Sequence, residues 1–511
     1  MGIPSVHPTG TTIYDPQKCF NGFTVFEAYG KGVMLIDMNG REIHLWENLI
    51  GMPAKILKGG YVLGSLETRP PQFATTECKE LVQVDWDGNI VWKFDHLEYI
   101  EDEGESPGWQ ARYRQDCQRE GNPVGYYTPE LECKVLSGNT LLLCHKNVKK
   151  PGISLHNLID DGFVEVDWAG NIVWQWWCSD HYQELGFSEA AKNAMARNPN
   201  LRTTAYGGVQ GDWMHINSMS VLGPNPWYDA GDERFHPDNI IWDARETNII
   251  GITSKKTGEI VWKIGPYYDT TPELKKLGWI IGQHHAHMIP KGLEGAGNIL
   301  VFDNGGQAGY GDCCPSGPSG VGVVRRDYSR VLEFNPLTLE IVWQYTPEEA
   351  DFLLPLTGHG FYSMYISSAQ RLPNGNTLIV EGSDGRFIEV TKSHEIVWEY
   401  INPYDGSEAG SSGAEAWFGA GNGSKYAAAR NNYVYRAYRV PYDYCPQATV
   451  HEEIAIPRID IQDFRLPGAA PRGGAETVQV AGAKSKQKMN QEANFCLPTN
   501  EQAEAAEKYL E

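Results

Sequence analysis

The stretch Leu81–Trp92, with the sequence LVQVDWDGNIVW, contains the pattern that decides the fold. Apolar and polar residues alternate over its first half, Asp-Gly follows, and the alternation resumes up to Trp92. Alternation with a period of two is typical of half-buried β-strands, and Asp-Gly suits the tight turn of a β-hairpin. The stretch therefore predicts a β-hairpin that ends in a tryptophan.

The same pattern recurs along the chain. Phe163–Trp174, with the sequence FVEVDWAGNIVW, is a close copy, and looser copies end at Trp46, Trp262, Trp343 and Trp398. Several copies are preceded by a second short apolar run that follows Gly-Asn, as at Gly297–Phe302. Two inner strands and one hairpin make a four-stranded blade, so the six copies predict an all-β fold, a six-bladed β-propeller. A β-sandwich or two separate β domains would explain the hairpins but not six copies of one signature.

The spacing of the signature tryptophans predicts the domain organisation. Successive tryptophans are separated by 46 to 88 residues, and the three middle gaps are long enough for loop insertions, which we expect on one face. We predict an N-terminal arm over residues 1–21 and the propeller over 22–445, closed by a strand near 433–441. Residues 446–511 are predicted as a partly irregular C-terminal extension with a short helix from Glu501. This extension is a candidate contact for a homodimer.

Composition restricts the partners and the compartment. Asp and Glu outnumber Lys and Arg by 65 to 43, a formal net charge of −22, so we expect neither nucleic acid nor a membrane as a partner. Residues 1–8 lack the basic and apolar regions of a secretory signal, which favours a cytoplasmic protein, or a periplasmic one if a leader has been removed. The ten cysteines, including the adjacent Cys313 and Cys314, follow no disulfide or zinc spacing and are expected to be reduced.

Polar residues with catalytic potential lie where inner strands begin or end. His215 and Asn217 precede one inner strand, Arg245 follows the next, His284 opens another, and His145 ends an inner strand of an earlier blade. Neutral imidazole is a nucleophile near pH 7, and arginine together with further histidines neutralises the oxygens of a sulfuryl or phosphoryl group in transfer. These residues therefore indicate a group-transfer site at the propeller axis.

The order of these motifs resembles the arylsulfate sulfotransferases that do not use PAPS, which are six-bladed propellers. The resemblance extends over roughly residues 80–445. The motifs that carry it are Asp212–Ser218 (DWMHINS), Arg245 within its strand, Gln283–Ala286 (QHHA), Phe302–Gly305 (FDNG) and Ser329–Glu333 (SRVLE).

The resemblance implies a ping-pong sulfotransferase in which a histidine accepts the sulfuryl group of an aryl sulfate and passes it to a phenol. His284 falls where the family has this nucleophile, His215, Asn217 and Arg245 fall where it binds the transferred group, and His145 matches a further family histidine. A family threonine is replaced here, with Ser367 as the nearest residue. The expected substrate is a small aromatic molecule, for which Trp213, Tyr362, Tyr365, Ser367 and Asn304 are the predicted binding residues, and no cofactor is expected.

Two other hypotheses remain at this stage. His145, His215, His284 and His287 from facing blades are an alternative ligand set for a divalent transition metal, which would make the chain a metal-dependent lyase or oxidoreductase. A propeller that only binds a partner through its long loops is the second. The metal content of the purified protein distinguishes the metalloenzyme from a sulfotransferase. Replacement of His284 distinguishes the binding propeller, whose function it would leave unchanged. Donor, acceptor and the roles of His285 and His287 are not readable from the sequence.

Overall fold

In the computed structural model, six antiparallel sheets, five of four strands and one of five, form the blades of a β-propeller, which confirms the predicted fold class. The structure describes residues 9–69, 77–102, 106–200, 211–404 and 432–458. These belong to one unit, Met1–Arg458, and a second unit, Ile459–Glu511, lies outside the described residues. The predicted terminal helix and most of the predicted C-terminal extension fall in that second unit.

Strands are numbered along the chain and are given for each blade from the innermost to the outermost. Blade 1 contains β29 (Ala437–Val440), β2 (Phe23–Ala28), β3 (Gly32–Ile36) and β4 (Glu42–Glu47); blade 2 contains β5 (Ile50–Leu57), β6 (Tyr61–Ser65), β7 (Leu81–Val84) and β8 (Ile90–Phe94); blade 3 contains β11 (Tyr113–Arg119), β12 (Thr140–Val148), β13 (Leu158–Val166) and β14 (Ile172–Trp177). Blade 4 contains β15 (Ile216–Val221), β16 (Ile240–Ala244), β17 (Ile249–Thr253) and β18 (Ile260–Ile264); blade 5 contains β19 (His284–Met288), β20 (Ile299–Asp303), β23 (Arg330–Phe334) and β24 (Ile341–Tyr345); blade 6 contains β25 (Ser368–Arg371), β26 (Thr377–Glu381), β27 (Arg386–Val390) and β28 (Ile396–Ile401).

The ring of blades is closed by strands from two distant parts of the chain. β29 pairs with β2 and supplies the innermost strand of blade 1, in the register Phe23 opposite Val440. β1 (Gly10–Tyr14) pairs with β28 and adds a fifth strand to the outside of blade 6. The closing strand expected near 433–441 is therefore confirmed, and blades 1 and 6 are both completed by chain that lies outside their own hairpins.

The insertions include two β-ribbons and three short α-helices: β9 (Glu98–Ile100) with β10 (Gly108–Gln110), β21 (Ala308–Tyr310) with β22 (Val321–Val324), α1 (Glu189–Arg197), α2 (Pro226–Asp229) and α3 (Pro272–Leu277). We call the face at which the innermost strands of blades 2 to 6 begin the top face. α2 lies between β15 and β16, hence at the opposite face, so the expectation that all insertions share one face is wrong. Within the described ranges, no helix is long and apolar enough to cross a bilayer.

The signature tryptophans link each blade to the next. An indole Nε1 of one outer strand donates to a backbone carbonyl in the outer hairpin turn of the following blade, and blade 6 donates to blade 1. The six bonds are Trp46 to Asp85 (2.9 Å), Trp92 to Trp168 (3.1 Å), Trp176 to Gly258 (2.8 Å), Trp262 to Pro336 (3.0 Å), Trp343 to Lys392 (3.1 Å) and Trp398 to Met38 (2.8 Å). Trp174 holds the signature position in blade 3, opposite Glu165, but Trp176 makes the bond there.

Blade 3 offers a matched test of these links. Trp176→Phe is expected to lower the free energy of unfolding by about 1–3 kcal/mol, because it removes a hydrogen bond and leaves a void in the core. The Trp176 ring is buried and stacks on Phe163 at 5.0 Å between ring centroids. Trp174→Phe, in the same strand but only partly buried, is expected to cost less. Urea unfolding followed by circular dichroism measures both, and equal losses would contradict a role for the inter-blade bond.

Candidate active site

The innermost strands of blades 3, 4 and 5 are irregular where they begin at the top face. Their register against the second strand shifts between Tyr113 and Cys117, between Ile216 and Ser218, and between His284 and His287. At each irregularity one residue other than glycine has positive φ: Gln115 (57°), His215 (53°) and His285 (56°). Bulges of this kind change the direction of a side chain and are common beside active sites. Three adjacent blades therefore present redirected polar side chains at the same face.

His284 is held on both ring nitrogens. Its Nδ1 lies 2.8 Å from Asn304 Oδ1, and its Nε2 accepts a hydrogen bond from the Ile366 amide at 3.1 Å. The Asn304 amide also donates to the Ser363 and Ile366 carbonyls, at 2.7 and 2.8 Å. Asn304 thus positions the imidazole and the loop from blade 6 that covers it. The arrangement assigns a proton to Nδ1 and a lone pair to Nε2.

The surroundings of His284 favour its neutral form. Burial, then the Arg245 guanidinium, and then His215 and Arg436 hold the pKa of His284 well below its ordinary value, against the opposing contribution of Asn304. A histidine in this state is the neutral imidazole at neutral pH, with one ring nitrogen free of a proton, as a nucleophile must be. The same interactions show that His284, Arg245 and His215, predicted from three separate motifs, are electrostatic neighbours.

His215 belongs to a buried network centred on Arg114. Asp212 Oδ2 accepts from His215 Nδ1 at 2.6 Å, while Arg114 Nη2 and Gln115 Nε2 lie 3.0 and 3.2 Å from His215 Nε2. Although burial alone would raise the pKa of Asp212, Arg114 and His215 hold it well below its ordinary value. A carboxylate on Nδ1 that directs Nε2 is the arrangement by which a histidine is oriented as a general base.

His145 lies at the other end of this network. It is fully buried, its Nδ1 lies 3.2 Å from Glu77 Oε2, and its Nε2 lies 2.7 Å from Arg114 Nη1 and 3.0 Å from Asp161 Oδ1. Within the described part of the chain, His145 makes no hydrogen bond or ring contact with His284. Its connection to the site therefore runs through Arg114, which bridges the two histidines.

Arg245 and Tyr362 form the more open side of the site. Arg245 begins a 3-10 turn directly after β16, its amide donates to the His215 carbonyl at 3.0 Å, and its side chain is 12% exposed beside Glu246. Burial and Asp327 raise the pKa of Tyr362, and Arg325, Arg245 and Arg326 oppose that shift. These interactions place Tyr362 among three arginines, each of which is also paired with a carboxylate: Arg245 with Glu246, Arg325 with Asp327 and Arg326 with Asp303.

The loop before β25 is compact and strained. Ile366 and Ser367 have φ values of 54° and 91°, a rare conformation for a β-branched residue. Ser367 is fully buried, its Oγ donates to Ser363 Oγ at 2.8 Å, and it accepts from the Gly382 amide at 2.9 Å. Tyr365 lies in the same loop and is partly exposed. The hydroxyl of Ser367, predicted to face the substrate, is instead engaged within the loop.

Two other predicted residues are placed away from an open surface. Trp213 is fully buried and packs against Tyr182, with ring centroids 5.9 Å apart, so it is part of the core and not the predicted aromatic wall. Asn217 is also fully buried, and its Nδ2 donates to the Gln283 carbonyl at 2.9 Å. In this structure, Asn217 contacts the chain that leads into β19.

The four histidines of the alternative metal site are held apart by different partners. His287 lies 3.0 Å from the Tyr126 hydroxyl, and His284 contacts Asn304. His145 and His215 belong to the network around Arg114 and Asp212. Among the residues that the structure describes, no group of three or more His, Cys, Asp or Glu side chains is arranged to hold a metal ion. The predicted set of His145, His215, His284 and His287 does not converge on one point.

Arg114 and Asp212 are the residues that the sequence analysis missed. Both are buried and charged, and together they connect two predicted histidines. Asp212 lies inside the motif that contains His215, but it was not assigned a role. Arg114 lies at the start of the innermost strand of blade 3, as His215 and His284 do in blades 4 and 5. This shared position at the start of an innermost strand is the feature from which Arg114 could have been predicted.

Comparison with known proteins gives one family and several solved structures of low sequence identity. The profile of the arylsulfotransferase (ASST) family matches residues 133–413, and no curated protein matched the chain. A protein of unknown function from Bacteroides caccae is 10% identical, with a TM-score of 0.38 over 82% of this chain and 100% of that one. Virginiamycin B lyase from Staphylococcus aureus is 11% identical, with a TM-score of 0.31 over 79% of this chain and 88% of that one.

Proposed function

Because the chain belongs to the arylsulfotransferase (ASST) family, we propose that it moves a sulfuryl group from an aryl sulfate to a phenolic acceptor in two steps, with His284 as the covalent carrier. The observation that carries the proposal is the state of His284. Its Nδ1 hydrogen bond to Asn304 fixes the ring, and burial together with Arg245 favours the neutral imidazole. The Nε2 lone pair, which accepts from the Ile366 amide in this structure, is the one that attacks once that amide has moved.

In the first step, His284 Nε2 attacks the sulfur of the aryl sulfate. An N–S bond forms, the bond between sulfur and the aryl oxygen breaks, and the phenolate leaves with the electron pair. In the second step, the oxygen of the acceptor phenol attacks the sulfohistidine and the N–S bond returns its pair to Nε2. We assign His215 as the base that takes the acceptor proton. Asp212 holds its Nδ1, and its Nε2 has to exchange the Arg114 and Gln115 donors for the acceptor hydroxyl.

Charge on the transferred group is balanced by Arg245 and by the blade 6 loop. The arginine is electrostatically coupled to His284 and partly open to the surface. The Ile366 amide occupies the Nε2 side of His284, where the sulfur has to bind, so this amide must move aside during the reaction. Left-handed φ at Ile366 and Ser367 costs about 1–3 kcal/mol per residue, and that strain reduces the cost of moving the loop. After it moves, the amide can donate to a sulfuryl oxygen.

Intact mass after a brief mix with 4-nitrophenyl sulfate tests the covalent step. Wild type is expected to gain roughly 80 Da, the mass of one sulfuryl group, as nitrophenolate is released. His284→Ala is expected to gain nothing. His285→Asn is the matched control in the same strand, because asparagine tolerates the positive φ at this position.

The same assay separates sulfuryl transfer from metal-dependent chemistry. Protein treated with a chelator is expected to form the adduct at an unchanged rate, because no step of the proposal uses a metal. The proposal is wrong if nitrophenolate forms without an adduct, or if the adduct also forms on His284→Ala. An adduct that forms only after a metal is restored would also contradict it.

A further inference from the structure

A cavity of about 210 Å³ opens at the top face over blades 4 and 5. Four aromatic residues line it: Phe187 from the insertion before blade 4, Tyr267 and Trp279 from the connection between blades 4 and 5, and Tyr310 from the β21–β22 ribbon. The Tyr267 hydroxyl donates to Ser188 Oγ at 2.8 Å and so ties two of these segments together. The cavity is therefore built by insertions that a bare propeller would not need.

Besides Ser188, Tyr267 and the exposed Asp312, the cavity is lined by the buried side-chain amide of Asn248. This residue ends the 3-10 turn after β16 with φ of 58°, and its side chain is fully buried. Its Oδ1 accepts from the Gly282 amide at 2.9 Å, whereas its Nδ2 has no hydrogen-bond partner among the described residues. Buried amide donors are nearly always paired, so a lone donor in the wall of a cavity indicates an acceptor supplied by a ligand.

We propose that this cavity is a binding site for a single-ring phenol or a similar small aromatic compound. The ring would lie among the four aromatic side chains, and its oxygen would accept a hydrogen bond from Asn248 Nδ2. A cavity of about 150 Å³ holds one benzene ring, so this cavity has room for one ring with a small substituent. Compounds with several fused or linked rings are too large for it.

The site is distinct from the one proposed for sulfuryl transfer. Asn248 binds the amide of Gly282, and the carbonyl of Gly282 lies 3.2 Å from His284 Nδ1, so the start of β19 separates the cavity from the nucleophile. None of His145, His215, Arg245 or His284 lines the cavity. The proposal therefore goes beyond the proposed function, and direct binding measurements test it without any turnover.

Isothermal titration of the full chain with phenol, without any sulfate ester, is the experiment. His284→Ala is expected to bind phenol as wild type does. Asn248→Asp keeps an oxygen for the Gly282 amide but removes the donor, so phenol is expected to bind roughly tenfold more weakly. Ala190→Trp fills the cavity from helix α1 and is expected to remove one phenol from the binding stoichiometry, leaving the acceptor phenol of the proposed function, whereas Asn193→Trp, on the exposed side of the same helix, is expected to remove none.

Each result decides the proposal. It is wrong if phenol gives no saturable heat up to about 10 mM, a concentration at which even a weak fragment is detected. It is also wrong if Ala190→Trp leaves the number of bound phenol molecules unchanged, since all the phenol then binds at the sulfuryl site. Benzene is expected to bind more weakly than phenol, and equal binding would contradict the role of Asn248. Thermal unfolding of each variant verifies that it is folded.

Discussion

Replacing His284 with alanine is expected to lower the rate of sulfuryl transfer from 4-nitrophenyl sulfate by at least about 10⁴-fold, the loss that follows removal of a covalent nucleophile. The alanine cannot form the N–S bond, and the Asn304 amide and the Ile366 amide lose the ring that they orient. Steady-state release of nitrophenolate, measured with a saturating phenolic acceptor, gives the magnitude.

Two comparisons make this result specific to His284. His285→Asn, one residue further along the same strand, is expected to retain most of the activity, because in the proposed mechanism that ring does not contact the transferred group. Asn304→Ala is expected to cost about 10²-fold, since it removes the group that orients the nucleophile but not the nucleophile itself. A His284→Ala variant that retains a tenth or more of the wild-type rate would exclude this histidine as the carrier.

Arg114→Met is expected to destabilise the fold by about 3–5 kcal/mol, the cost of breaking a buried ion pair by removing one partner. Arg114 is fully buried, lies 3.0 Å from Asp212 Oδ2 and 3.8 Å from Asp161 Oδ1, and contacts both His145 and His215. Methionine fills a similar volume without any charge, so both carboxylates are left without their cation. Urea unfolding measures the loss.

A surface arginine is the matched control for Arg114. Arg234 pairs with Asp232 at 2.6 Å, but its side chain is 48% exposed. Arg234→Met is expected to cost less than about 1 kcal/mol, as exposed ion pairs do. Similar losses for the two variants would mean that the network around Arg114 is not held by its charge. In folded Arg114→Met protein, sulfuryl transfer should also slow, because His215 loses one of the groups that hold its ring.

The fold could be predicted because its signal is local and repeated. Each hairpin is specified by alternation and a turn within about a dozen residues, as in Leu81–Trp92, and six copies leave few alternatives. That Trp176, and not Trp174, makes the inter-blade hydrogen bond could not be predicted. Both residues lie in one strand, and only the position of the acceptor carbonyl in the neighbouring blade distinguishes them. The position of α2 on the face opposite the other insertions depended on where β15 ends, which is a boundary and not a pattern.

The site was only partly predictable for a physical reason. His284, His215 and Arg245 come from three motifs, and burial together with Arg245 and His215 lowers the pKa of His284. That the three residues act together stays a prediction. Strand alternation, however, assigns a direction to each side chain only while the register is regular. The irregularities beside Gln115, His215 and His285 break that rule, so the burial of Asn217 and Ser367 and the bridging role of Arg114 depended on distortions that the sequence does not encode locally.

The closure of blade 1 by β29 has a consequence for how the protein is made. β2 leaves the ribosome early, but its partner β29 follows roughly 400 residues later, so at 5–20 residues per second the first blade waits on the order of half a minute for its innermost strand. During that interval an apolar strand edge is uncovered, and the ring cannot close however well the later blades have formed. We therefore expect nascent chains to depend on chaperones until β29 emerges, with premature release yielding aggregates instead of smaller propellers.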